Sequence, residues 1–274
     1  MADARVEPGL SSGVLDGIDL VVFDKDGTLI DFHAMWVPWF EELSRRLELA
    51  TGPQLRDDLW RALSNDPASG ETLPLGAIAG TTNEQMWHMT VAAVAVRLGN
   101  RARAVAVVSD AWFLPDPVTS ARALTDLGVL FGDIHRSGRL VAVITADDRL
   151  PTERMLGAFG VTDAVDALVC GDDGLPNKPA PDTLLRACSL LGVPAQRAAI
   201  VGDMPGDLLM AHNAGAGRAI GVLSGAGRPD HLAPLADALL GSIAEFGQLL
   251  ALSQPGADGS VVQRLDARPR DGRN

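Results

Sequence analysis

The sequence predicts an α/β protein: a doubly wound, Rossmann-like parallel sheet interrupted by an inserted all-helical domain. Three observations carry this. Apolar runs recur at 20–24, 140–145, 167–171, 198–203 and 218–223, continuous rather than alternating. That pattern suits parallel strands covered on both faces. Helical patterns separate the later runs, which is the alternation of a doubly wound sheet. Between the first and second runs, residues 32–116 keep helical spacing and hold all five tryptophans.

Each element has a local reason. Residues 14–31 form the first part of the core, with Leu20-Val21-Val22-Phe23-Asp24 as its strand. In the insertion, 32–116, Pro38 suits a first helical turn, and Trp39, Leu43 and Leu47 follow at helical spacing. Leu55, Leu59 and Leu63 mark a second helix, and Thr82 with Gln85 forms a capping-box pattern before a third that runs to about Leu98. A fourth is expected over 102–112. The alternative for this block is a helical layer packed on the sheet. Its segment Pro67–Gly80, rich in Gly and Pro, reads as a specificity loop or a plain connector. The core resumes over 117–252, with helices expected at 118–137, 150–159, 180–192 and 205–215. Residues 1–13 and 253–274 are polar or Gly/Pro-rich and are expected to be flexible tails.

Composition narrows the function. A net charge of −12 opposes nonspecific nucleic-acid binding. It leaves an anionic small-molecule substrate open, because a bound cation reverses the field inside one cleft. Cys170 and Cys188 have neither a disulfide framework nor zinc spacing and read as core residues. No apolar run approaches the roughly 20 residues that span a bilayer, and the polar start shows no signal-peptide pattern. A cytoplasmic protein is expected.

Chemistry concentrates at strand ends. In a doubly wound sheet the ligand sits at the carboxyl ends of the strands. Asp24, Thr145, Gly171 and Asp203 all end their runs, so they are expected along one edge. Asp24 and Asp26 flank Lys25 and precede Gly27-Thr28, where the chain turns and lets both carboxylates approach one small site. Such a site suits a divalent cation, a nucleophile and a proton donor. Lys25 and Lys178 are the only lysines among 23 basic residues. Lysine is a compact point charge that the forked guanidinium does not imitate.

Four motifs in order resemble the haloacid dehalogenase-like hydrolase superfamily, in particular its phosphatases. They are Asp24-Lys25-Asp26-Gly27-Thr28 after a strand, Thr145 at the end of Val141–Thr145, Lys178 in Asn177-Lys178-Pro179, and Gly202-Asp203-Met204-Pro205-Gly206-Asp207 after another strand. The match organises residues 18–250. The resemblance implies that Asp24 is the nucleophile, forming an aspartyl-phosphate. It implies that Asp26 is the general acid and then the general base. It further implies Mg2+ held by Asp24, Asp203 and the backbone carbonyl of Asp26, with Asp207 reaching the metal through water or orienting Lys178. The alternative for Asp207 is a helix N-cap. Thr145 and the Ala146 amide would bind phosphoryl oxygens, and Lys178 would neutralise transition-state charge.

Differences within the superfamily narrow this further. Dehalogenases lack the second acid, so Asp26 favours phosphate chemistry. The phosphonate branch needs a cap lysine, and none stands between Lys25 and Lys178. The insertion resembles the helical cap of phosphoglycolate-phosphatase-like members, which implies a small phosphate ester as substrate. A phosphomutase on the same scaffold, or a catalytically quiet phosphometabolite-binding protein, remains an alternative. The tryptophans are expected in the cap core, and a tryptophan-rich cap would offer an apolar patch for a homodimer. His33 and His88 are candidates for the cap's inner face, with packed or surface roles preferred.

Overall fold

The computed structural model describes residues 13–64 and 76–253. In chain order the elements are β1 (Leu20–Phe23), α1 (Phe32–Thr51), α2 (Leu55–Leu63), α3 (Gly76–Gly80), α4 (Asn83–Leu98), α5 (Arg101–Ala111) and α6 (Leu127–Arg136). Then follow β2 (Leu140–Ile144), α7 (Arg149–Ala158), β3 (Ala167–Val169), α8 (Asp182–Leu191), β4 (Ala198–Gly202), α9 (Pro205–Ala214), β5 (Arg218–Val222), α10 (Pro229–Leu232), β6 (Ala238–Leu240) and α11 (Phe246–Ala251).

The six strands form one parallel sheet in the order β3-β2-β1-β4-β5-β6. From β1 the chain winds out to β3, then crosses back to β4 on the other side. β1 is therefore the strand at which the winding reverses, the place where such sheets bind ligands. Its register is Phe23 beside Val143 of β2 and Val201 of β4, so Asp24, Ile144 and Gly202 leave the sheet together. Successive side chains point to opposite faces, and the core divides accordingly. Val21, Phe23, Val143 and Val201 pack with α6, α7 and α11. Leu20, Val22, Ala142 and Ile200 pack with α8 and α9. Two-sided burial explains why these strands read as unbroken apolar runs.

Several elements differ from expectation. β6 is an additional edge strand, too short to stand out in Asp237–Leu240. The helix expected at 118–137 begins only at Leu127, because Asp126 caps it through Val129 N at 3.0 Å. Before it, Asp116 accepts from the amides of Val118 and Thr119, a turn flanked by two prolines. α1 starts at Phe32, where Asp31 accepts from Ala34 N. Pro38 thus lies inside α1 rather than in its first turn, exposed, where the lost backbone bond faces water. The capping box of Thr82 and Gln85 forms as expected. Of the Pro67–Gly80 segment, residues 76–80 form the short helix α3, and 67–75 lie outside the described residues, as do 1–12 and 254–274 of the expected tails. Gly13 and Ser253, at the inner edges of those tails, are tied down: Gly13 N donates to Leu252 O, and Leu15 N to Ser253 Oγ.

Helices α1, α2, α4 and α5 pack on one another around buried Trp36, Trp39, Phe40, Leu43 and Val94. Trp39 meets Trp36 and Trp112 edge to face at 5.4 and 5.6 Å. The apolar interior of this block runs into that of the α6 face of the sheet. The outgoing and returning connectors pair with each other: Asp31 N donates to Arg122 O, and Leu124 N to Leu29 O.

Candidate active site

Asp24 sits at the carboxyl end of β1, its amide bonded to Val201 O at 2.9 Å. Past it, Leu29 N and Ile30 N both return to Lys25 O, closing a tight loop. Gly27 takes φ +81° there, and a Cβ would come 2.5 Å from Asp203 Oδ2, so only glycine fits. Asp203 leaves β4 on the other side of this loop.

Three buried carboxylates, Asp24, Asp203 and Asp207, bring one oxygen each within 4.8 Å of one another. Among the described residues one cation pairs with them: Lys178 Nζ lies 2.5 Å from Asp24 Oδ1 and 2.6 Å from Asp207 Oδ1. Backbone amides and one hydroxyl hold other oxygens of Asp203 and Asp207. Asp203 Oδ2 accepts from Ala226 N at 2.9 Å and Oδ1 from Thr28 Oγ1 at 3.4 Å. Asp207 Oδ2 accepts from Met204 N at 3.0 Å. Asp207 is therefore a partner of Lys178, and it is not the N-cap that the alternative reading expected: Met204 holds that position, and Asp207, three residues on, accepts from its amide.

Burial raises the Asp24 carboxyl to about 7, against the pull of the Lys178 ammonium. Burial also raises Asp203 well above the carboxylate range, helped by Asp24 and Asp207. For Lys178, burial opposes the charge, but Asp207 and Asp24 outweigh it and hold the amine above its ordinary value. Three carboxylates against one ammonium leave a dry pocket short of positive charge. That deficit, with an all-oxygen donor set, fits a hard divalent cation such as Mg2+.

Thr145 and Ala146 follow directly after β2, the strand beside β1, and both are buried. Thr145 Oγ1 accepts from Asp147 N at 3.1 Å, which leaves its proton free to donate outward. The Asp26 carboxylate does not join the three-carboxylate cluster. Trp36 Nε1 donates to its Oδ1 at 2.8 Å, and Lys25 Nζ lies 2.5 Å from its Oδ2. Lys25 also lies 3.0 Å from Asp147 Oδ2.

Sequence reading placed Trp36 only among the core tryptophans of the helical block and gave no role to Asp147, Ser224 or Ala226. Ser224 Oγ donates to Gly27 O at 2.7 Å, and Ala226 fixes Asp203. The glycine-rich Ser224–Gly227 stretch after β5 was the available signal, since a Cβ at Gly225 would overlap the Asp203 carboxylate. His33 and His88 are exposed, and the Cys170 and Cys188 thiols are free and buried.

A family model for haloacid dehalogenase-like hydrolases matches residues 18–215. The chain belongs to that family. The chain is 32% identical over 160 residues to a phosphoglycolate phosphatase of Rhodospirillum rubrum, a match covering 58% of the chain and 64% of the relative. It is 36% identical over 90 residues to a putative pyrophosphatase of Caldanaerobacter subterraneus, covering 33% of the chain and 41% of the relative. In both, less than two thirds of the relative's length is spanned. Its fold is similar to the crystal structure of a predicted phosphoglycolate phosphatase from Haemophilus somnus, with TM-score 0.62 and 17% identity over 86% of this chain and 99% of that one. No helix among the described residues is long and apolar enough to cross a membrane.

Proposed function

We propose that this hydrolase is a Mg2+-dependent phosphomonoesterase that acts on a small phosphorylated metabolite through an aspartyl-phosphate on Asp24. The observation that carries the reading is the placing of Asp24 at the reversal strand's carboxyl end, within reach of Asp203, Asp207 and Lys178.

An Asp24 oxygen attacks phosphorus in line, and the phosphorus–oxygen bond to the leaving group breaks. Asp26 gives its proton to the departing oxygen. Asp26 then takes a proton from water, whose oxygen attacks the phosphorus of the aspartyl-phosphate. Inorganic phosphate leaves and the Asp24 carboxylate is restored. The Thr145 hydroxyl and Ala146 N–H hold phosphoryl oxygens, and Lys178 neutralises the charge that grows on them. Asp24, Asp203 and the Asp26 carbonyl would hold Mg2+, with Asp207 next to it. When bound, the ion offsets repulsion between carboxylate and phosphate.

The helical block, 32–116, acts as the cap over this edge, and its inner face selects the substrate. Contacts between this block and the core support the reading, among them Asn83 Nδ2 donating to Asp148 Oδ2 at 3.1 Å and Trp36 Nε1 donating to Asp26. Phosphoglycolate and pyrophosphate, named for the two relatives, belong in the first substrate panel with sugar phosphates and nucleotides. Phosphate release is expected from at least one panel member, lost with EDTA, restored by Mg2+ and absent in Asp24→Asn. Hydrolysis undiminished in Asp24→Asn overturns the reading. Exchange between sugar-phosphate isomers without phosphate release points to a mutase instead.

A further inference from the structure

Both oxygens of Asp26 are held by side chains that the proposed chemistry leaves idle. Trp36 Nε1 reaches Oδ1 at 2.8 Å from α1. Lys25 Nζ reaches Oδ2 at 2.5 Å and is itself braced by Asp147 Oδ2 at 3.0 Å, from the loop after β2. Lys25 is only 2% exposed. A charge so far from water is retained only where it is paired and its donors are used.

Two donors thus hold one carboxylate, Trp36 from α1 and the neighbouring Lys25, and a third segment braces the lysine through Asp147. A lone Asp side chain turns about two bonds, whereas donors on opposite oxygens leave it one orientation. Proton transfer needs heavy atoms about 2.6–3.2 Å apart, so orientation governs the rate. Trp39, one turn on from Trp36, sends its N–H to the Phe113 carbonyl. The Trp36 contact is therefore not a general habit of the tryptophans in this block.

We propose that Lys25, braced by Asp147 and working against Trp36, is a positioning residue that aims Asp26 at the leaving-group oxygen. The inference rests on the reading of Asp26 as the proton-transfer group.

The test is kcat/KM over phosphate monoesters graded from aryl to alkyl leaving groups. This parameter reports the steps up to phosphoryl transfer, where a poor leaving group needs its proton most. Lys25→Met is expected to lose about 10–100-fold on alkyl esters and only a few-fold on aryl esters. Trp36→Phe removes the N–H together with part of the indole's volume, and is expected to show the same trend across leaving groups at smaller size. In an Asp26→Asn background, Lys25→Met is expected to cost less than about twofold, because coupled residues do not add.

Equal losses across the panel in both single variants, or an undiminished loss in the Asp26→Asn background, overturn the positioning role and leave a structural ion pair. If Lys25→Met does not fold, Trp36→Phe carries the same test by its trend across leaving groups. Activity that survives in Asp24→Asn overturns the parent reading and this one with it. An inactive Asp24→Asn together with uniform losses overturns the positioning role alone.

Discussion

Lys178 Nζ lies 2.5 Å from Asp24 Oδ1, although 154 positions separate the two residues in the chain. The parallel sheet makes this pair, because β1 and β4 lie side by side and the loop carrying Lys178 closes over their ends. The same ammonium reaches Asp207, so one lysine ties the strand-end carboxylate of Asp24 to the start of α9.

Removing that lysine tests both chemistry and stability. Lys178→Met is expected to lower kcat by about 10²–10³-fold, the usual cost of losing a preorganised charge-stabilising donor. It leaves Asp24 and Asp207 buried without their ammonium, so stability without metal is expected to fall by about 3–5 kcal/mol. Steady-state kinetics and urea unfolding measure the two losses separately. Lys178→Arg is expected to restore little activity, since a planar fork cannot occupy a point-charge site.

The carboxylate cluster predicts metal-linked stability. Adding Mg2+ to EDTA-stripped protein is expected to raise Tm progressively, because a ligand bound only by the folded state stabilises it by mass action. Asp203→Asn is expected to abolish most of that rise. Calorimetric scans at graded Mg2+ read the effect, and an unchanged rise in Asp203→Asn would remove Asp203 from the metal site.

Gly225→Ala tests a support that no catalytic motif contains. A Cβ there overlaps the Asp203 carboxylate, which must then turn from the amide of Ala226. Mg2+ affinity is expected to fall by about 10–100-fold, the range seen when groups that orient a ligand are disturbed. Titration calorimetry with Mg2+ measures this directly.

The cysteines predict a pH effect of defined sign. Burial pushes the Cys170 thiol up to about 12 and Cys188 up to about 11. Thiolate, the reactive form, becomes abundant only as pH approaches those values. Native protein at pH 8 is therefore expected to resist an aromatic disulfide reagent, and to react at both sites once denatured. Prompt labelling of native protein would contradict the burial of both.

Much of the fold was legible because β1, β2, β4 and β5 are buried on both faces, which writes unbroken apolar runs into the chain. β6 was not legible, since a three-residue edge strand leaves no periodicity to read. The start of α6 was misplaced because apolar spacing continues through 118–126, while Asp116 and its flanking prolines bend the backbone into turns. Asp24, Thr145 and Asp203 could be gathered at one edge from strand ends alone, whereas Lys178 and Asp207, which end no strand, entered only through the motifs that carry the family resemblance. Trp36 could not, because its role depends on one indole pointing out of the helical core toward Asp26. Asp147 was hidden for a similar reason: only the fold brings it against Lys25.

The most direct measurement asks where phosphorus goes. Enzyme mixed briefly with substrate and Mg2+, quenched in acid and reduced with borohydride, converts an acyl phosphate on aspartate into homoserine. Peptide mapping is expected to find homoserine at position 24 only, and only in samples that received substrate. Turnover with position 24 unmarked, or with the mark on Asp203 or Asp26 instead, would contradict the account.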